Sequence, residues 1–361
     1  MSCSIVIDGK MAEMMNEVSE RFGVDVETLG VMAISNFLNS PMVTSSLAFA
    51  TDEGTERLVG SDSPSRVESS PSKVPEGNAP SAIDQAEIGD VKVTGAIIRE
   101  ADIKFNQIRA DKVPPPEEDY ILWGQFSRFL TIKYTLRLLA NLSVDNRRVP
   151  LEMWFDLVRS NAAAERSVLR EIDMLQKIPR GEQFASGFPK DGEKSLDRFV
   201  NHFCAAIYSD GSVVGFPSHL GLIQVSFSDG KKVVRLTKEG LKYVKLYNPI
   251  IDGSAPYDSA MSDEESHFML GRIRKHLPST WDFFQHVLKS IEGGADTPTE
   301  LSSAIDRAYG LGTPRNWNGA QVATYRSGAL GLLGDCGIIS RTWRFRSVTY
   351  SLTDKGKEVL V

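Results

Sequence analysis

Apolar and polar positions divide the chain into segments of different period. At the start, Cys3, Ile5 and Ile7 alternate with Ser2, Ser4 and Val6, which predicts a short strand. Met11, Met14, Met15, Val18 and Phe22 then recur at helical spacing until Gly23 stops them. Asp25 caps a second predicted helix carrying Val26, Leu29, Met32, Ala33, Phe37 and Leu38, and Pro41 ends it. From Thr44 to about 82 the periodicity gives way to Ser, Pro, Gly and Glu, which bury too little apolar surface to offset the entropy of ordering. Residues 44–113 are read as an acidic, largely disordered linker, with helical spacing in 83–113 that suits a short helix docked on the next domain. Pro114, Pro115 and Pro116 close it.

Beyond the prolines the apolar spacing predicts helices over 120–142, 149–158 and 162–178, the last exposing Arg166, Arg170 and Lys177. Residues 180–221 insert one more helix, 195–208, before a hairpin. A second series begins at 262, with one or two helices to 290 and a core of Phe268, Ile273, Trp281, Phe284 and Leu288. Thr297-Pro298-Thr299-Glu300 is a helix start, and Gly310 stops that helix. After a turn, a third helix runs to Gly337. Gly328, Gly331, Gly334 and Gly337 recur every third residue, a stripe that either lets a neighbour pack closely or shortens the helix.

Two stretches echo each other. Residues 222–246 and 338–361 both read as strand, tight turn, strand, then Leu-Thr-x-x-Gly and a short helix. Leu236, Thr237 and Gly240 match Leu352, Thr353 and Gly356, each Thr capping the short helix after it. Asp229-Gly230 is a hairpin turn signal. The series of three helices and a hairpin resembles a winged helix-turn-helix domain, over 114–252 in an elaborated form and over 262–361 in a plainer one. The strand and two helices of residues 1–43 resemble a ribbon-helix-helix domain. The fold class expected is therefore mainly α with short β-hairpins (α+β).

That resemblance implies a recognition helix, the third of the second unit, displaying Arg315, Asn316, Asn318, Gln321, Tyr325 and Arg326 to base edges or phosphates. It implies a wing carrying Arg341, Arg344 and Arg346. Arg166, Arg170, Lys177, Lys231 and Lys232 form a further face for DNA or a partner protein. Ribbon-helix-helix domains pair two strands into one ribbon, so residues 1–43 are expected to dimerise. Their outward strand positions, Ser2, Ser4 and Val6, carry no cation, so dimerisation rather than DNA reading is their expected task.

Charge sharpens this picture. The net charge is −6, but it is unevenly spread: −4 over 1–40, −7 over 44–119, +6 over 120–250 and +4 over 311–361. Locally clustered cations are what a phosphate backbone attracts. Three widely spaced cysteines give no disulfide framework and point to a reducing compartment. No apolar run is long enough to span a membrane and no signal peptide opens the chain, so the expected location is cytoplasmic and nucleoid-associated.

Catalytic motifs are not found. There is no phosphate-binding P-loop, no HExxH and no nucleophile elbow. His202 and Cys204 lie two residues apart on a predicted helix and face different ways. Asp191, Glu193 and Lys194 form the one acidic and basic group reminiscent of a nuclease, in a loop-like run without a strand. The expectation is a non-enzymatic, cofactor-free, sequence-specific binder of double-stranded DNA acting as a dimer, a transcriptional regulator. The alternatives are a winged-helix assembly factor in a chromosome, plasmid or defence complex, and a nuclease.

Overall fold

In the computed structural model, the residues described are 99–113, 120–146, 148–228, 230–254, 256–345 and 347–360. The ribbon-helix-helix-like segment 1–43 and most of the expected linker lie outside them. The described residues form a mixed α+β structure, mainly helical with short antiparallel hairpins.

The first helix, α1 (Phe129–Asp145), is buried on every side from Phe129 to Ala140. A helix apolar all round belongs in a core, yet this one carries Lys133 and Arg137 with their side chains fully enclosed. It starts at Phe129, not near Tyr120 as the apolar spacing predicts. Asp335, from far along the chain, accepts the Phe129 N–H at 2.9 Å and the Arg128 guanidinium at 2.5 Å. An imported carboxylate thus caps the helix and complements its dipole.

The strand β1 (Val149–Pro150) leads into α2 (Leu151–Leu175), a single 25-residue helix where two were expected. Between Val158 and Ala162 there is neither Pro nor Gly, and Ser160 and Asn161 return their side-chain donors to the Leu157 carbonyl. Polar residues that resemble a turn are thereby absorbed by the helix itself. A 3-10 turn at Phe184–Gly187 packs on α1, so closely that a Cβ on Gly187 would come within 2.6 Å of Thr131. Then come α3 (Glu193–Phe203), shorter than the predicted 195–208, the small pair β2 (Ala206–Ile207) and β3 (Val213–Val214), and α4 (Phe216–His219).

The hairpin β4 (Ile223–Ser228) and β5 (Lys231–Leu236) is followed by α5 (Lys238–Lys245) and α6 (Pro249–Asp252). Strand order is β1-β5-β4, with Val149 opposite Val234. The second series is α7 (Asp263–His276), α8 (Pro278–Glu292), α9 (Pro298–Tyr309), α10 (Gly319–Asp335), the hairpin β6 (Ile339–Arg344) and β7 (Ser347–Leu352), and α11 (Asp354–Val359).

The sequence echo is an echo in space with a constant offset of 116 residues. Both hairpins have six rungs, from Ile223 opposite Leu236 and from Ile339 opposite Leu352. Thr237 donates its N–H to Leu222 and its hydroxyl to Gly221, and accepts from Gly240 N–H; Thr353 does the same with Ile338, Gly337 and Gly356. The repeated glycine has a steric cause. A Cβ on Gly240 would lie 1.9 Å from the Leu222 carbonyl oxygen, and one on Gly356 would lie 2.1 Å from that of Ile338. Upstream, Gly221 and Gly337 both take left-handed φ, +63° and +67°. Where β1 meets Val234, the corresponding Tyr350 donates its N–H to the Asp296 carbonyl at 2.8 Å.

The two series share one buried core. Gly328 and Gly331 of α10 lie against the 124–127 turn, where a Cβ would meet Gly124 at 2.5 Å and Ser127 O at 2.4 Å. The glycine stripe therefore serves close packing at those two positions. Two buried ion pairs cross the same boundary, Arg128–Asp335 at 2.5 Å and Lys133–Glu265 at 2.8 Å, and a third, Arg137–Asp252 at 2.8 Å, closes within the first series. Residues 99–111, expected within the linker, are docked here through buried Ile103 and Ile108, an Arg235–Asp111 ion pair and Glu100 N–H on Asp252. They form two 3-10 turns at Glu100–Asp102 and Phe105–Gln107 where the spacing suggested a helix.

Candidate nucleic-acid interface

The helix expected to read bases is α10, and its polar residues are engaged in holding it in place. Asn318 is its N-cap: the side chain accepts from Gln321 N–H at 2.9 Å, and Gln321 returns the bond to Asn318 N–H at 2.9 Å. This reciprocal pair is a capping box, and the Asn-x-x-Gln spacing that encodes it is visible in the sequence. Asn316 adopts a left-handed φ of 52° and accepts from Gly312 N–H. Tyr325 lies flat on Trp317, ring centroids 3.9 Å apart and 2° from parallel, with Trp123 and Phe283 edge-on to it. Arg326 donates to the Pro298 carbonyl at 2.6 Å and to Ser302, joining α10 to α9. Arg315 is exposed and reaches the Ser279 hydroxyl at 3.1 Å. The face that α10 leaves to solvent is Gly319, Ala320, Ala323 and Ser327, small and uncharged.

On the second hairpin Arg341 turns inward. It donates to Gly181 O at 2.5 Å and Leu330 O at 2.7 Å, and burial together with the nearby Arg128 charge lowers its pKa. Arg344 stays exposed at the tip. Arg346 lies outside the described residues. Between them Phe345 is fully exposed and holds a left-handed φ of 55°. Such a φ is a genuine outlier for a bulky residue. The corresponding turn of the first hairpin is Asp229-Gly230, where glycine carries the left-handed φ of 73°. Trp343 is two-fifths exposed beside the tip, and Phe227 is exposed beside Lys231 and Lys232 on the other hairpin.

Arg166 and Arg170 line a groove along α2 together with Lys190. Lys177 sits just past the end of α2, exposed, with a left-handed φ of 55°. Two arginines one turn apart repel each other, so this face is cationic, with the charge of Asp173 acting on Arg166 from within the groove. The groove floor is Asp173, whose carboxylate accepts from Phe184 N–H at 2.8 Å and Ala185 N–H at 3.1 Å. Burial nevertheless raises its pKa.

The charge count over 120–250 overstates what reaches the surface. Arg128, Lys133, Arg137 and Arg235 of that block pair with Asp335, Glu265, Asp252 and Asp111, all outside it. Lys133 meets three acceptors, Tyr243 O at 2.7 Å, Leu246 O at 2.6 Å and Glu265, while burial lowers its pKa to about 8. Among the described residues, no three His, Cys, Asp or Glu side chains come together as metal ligands. Asp191 is exposed in a turn, and Glu193 and Lys194 begin α3. No helix among the described residues is long and apolar enough to cross a membrane.

Known families, curated proteins and solved structures all give no match to this chain.

Proposed function

We propose that the chain is a non-catalytic binder of double-stranded DNA, a dimeric regulator with two winged-helix-like units whose hairpins, rather than the third helix, make the principal contacts. The observation that carries this reading is Phe345. A phenylalanine at a left-handed turn position, wholly exposed beside Arg344, costs about 1 kcal/mol or more in strain. The sister hairpin has Asp229 at the equivalent position and places glycine, Gly230, at the next one. Apolar side chains flanked by cations act as wedges between base steps in the minor groove, and the cations hold phosphates. The repeated order of helices and hairpin, with a strand or single rung on the outer hairpin strand, supports the winged-helix comparison. With Asn318 and Gln321 closing a capping box, sequence preference follows from DNA shape and flexibility more than from base-edge hydrogen bonds.

The test is duplex binding by the full chain across a salt series. Arg344→Glu is expected to weaken all sequences alike and to reduce the log–log salt slope by about 1. Phe345→Gly is expected to raise folding stability by about 0.5–1 kcal/mol while weakening binding to flexible steps. Stabilisation without any loss of DNA affinity would refute the wedge. The dimerising role proposed for residues 1–43 is tested by sedimentation. Deleting them should leave a monomer with unchanged affinity for one half-site, and affinity for paired half-sites lower by about tenfold or more. A second reading, protein assembly, draws on exposed Phe227 and Leu311; salt-independent capture of a partner with no duplex binding would favour it.

A further inference from the structure

The arginines withdrawn from the expected reading head line a groove of their own. It is about 570 Å³ in volume, lies between α10, the second hairpin and the 180–186 loop, and is lined by Arg128, Arg180, Arg326, Arg341 and Trp343, with no carboxylate in its wall. Arg128 is answered by Asp335 behind it. The other three guanidinium groups have no carboxylate partner among the described residues. Arg326 and Arg341 bond only neutral oxygens, and the Arg326 Nε is buried without a hydrogen-bond partner. Arg180 is exposed at the rim. The Trp343 ring stands over Gly181, which has no side chain to cover it.

Half-buried cations bonded only to neutral oxygens are costly, and the carboxylates that act on Arg341, Glu182 and Asp335, make no hydrogen bond to it, Asp335 being engaged by Arg128. These cations form a site awaiting an anion, and the fork of a guanidinium matches phosphate. This groove is not isolated. The α2 groove, about 630 Å³, is lined by Arg166, Arg170 and Lys190, with Asp191 at its edge and the Asp173 carboxylate, held by the Phe184 and Ala185 N–H groups, in its floor. Ser186 belongs to both walls, and its hydroxyl accepts from Arg128 Nε at 2.8 Å. Two cationic grooves therefore meet at one residue.

We propose that together they form a track for a single nucleic-acid strand. Successive phosphates lie on Arg180, Arg326 and Arg341 and then on Arg166, Arg170 and Lys190, and a base stacks on Trp343. Each groove has the size of a small-ligand pocket, and the two in series call for a chain rather than one nucleotide. Cationic grooves with aromatic platforms are how single strands are held. The track is distinct from the hairpin tip and does not rest on the duplex reading.

The experiment uses the full chain and a fluorescent oligothymidylate of about 15 nucleotides, with thymidine monophosphate as competitor and a duplex of equal length as a second arm. Arg180→Glu and Arg170→Glu, both exposed positions in different grooves, should each weaken oligothymidylate binding at least about tenfold without shifting the melting temperature. Trp343→Ala should do likewise. The monophosphate should compete poorly. Strand binding untouched by either charge reversal, or sensitive to only one of them, would overturn the track. A monophosphate that competes as well as the strand would overturn the strand and leave a nucleotide pocket. Loss of duplex binding in Phe345→Gly with strand binding intact separates this proposal from the preceding one.

Discussion

Residues 221–240 and 337–356 fold alike, rung for rung and bond for bond, while almost everything attached to them differs. The shared positions are those whose backbones touch: the left-handed glycine, the doubly bonded threonine, and the glycine lying on a carbonyl. The turn sequences diverge, Asp229-Gly230 in one hairpin and Phe345-Arg346 in the other. Equivalent positions even exchange chemistry. His219 of the first unit is half-buried between Tyr120 and Phe126, whereas its counterpart in the second is Asp335, which caps α1 and pairs with Arg128. Backbone contact thus fixes a small set of residues in both copies, and the rest of the surface is left to function.

The comparison breaks most severely at Asp335. Asp335→Ala removes the cap of α1 and leaves the Arg128 guanidinium enclosed beside other arginines. A loss of about 3–5 kcal/mol is expected, because truncating one partner of a buried pair strands the other. Chemical denaturation reads it, and a loss below about 1 kcal/mol would show that the pair is dispensable.

His219 gives a smaller, pH-dependent effect. Burial lowers its pKa to about 4. Between that value and the ordinary value near 6.5 the unfolded chain binds a proton that the folded chain refuses, so stability falls as pH drops through this window. The decline is expected to reach up to about 3 kcal/mol. His219→Phe should flatten this part of the stability profile, and a profile unchanged by the substitution would exclude His219 as its source.

The repeated glycines provide the mildest and sharpest comparison. Gly240→Ala and Gly356→Ala should each destabilise by about 1–3 kcal/mol through overpacking, more at Gly240. Its helix also buries Tyr243 and Val244, whereas Gly356 itself is the buried residue of α11. Equal losses at the two sites would indicate that α11 is as firmly fixed as α5.

The features legible from sequence are those whose causes lie close by in the chain. Thr237 and Thr353 cap helices three residues away, Thr297 and Glu300 close a box, and Asp-Gly makes its own turn. The start of α1 was not legible, because its capping carboxylate stands 206 residues away. Nor was the continuity of α2, where Ser160 and Asn161 mimic a break. The candidate site divides the same way. Arg344 was readable as an exposed hairpin cation, whereas Arg326 and Arg341 are drawn to carbonyls of distant segments. Arg180, Lys190 and Trp343 acquire a common meaning only when the 180–190 loop meets α10 and β6. For Asn318 and Gln321 the signal was present and admitted a capping reading as readily as a base-reading one.

The bond from Arg128 to Asp335 spans 207 residues and also orders events during synthesis. As the chain leaves the ribosome, Arg128, Lys133 and Arg137 emerge long before Asp252, Glu265 and Asp335. Until Glu265 and Asp335 arrive, closing the core around α1 would enclose Lys133 and Arg128 unanswered, which disfavours completing the first unit before the second. A chain released early, anywhere short of Asp335, is left with its central helix uncapped and Arg128 unpaired, and so is open to proteolysis. A single carboxylate thus separates chains that have passed Asp335 from those that stop short of it.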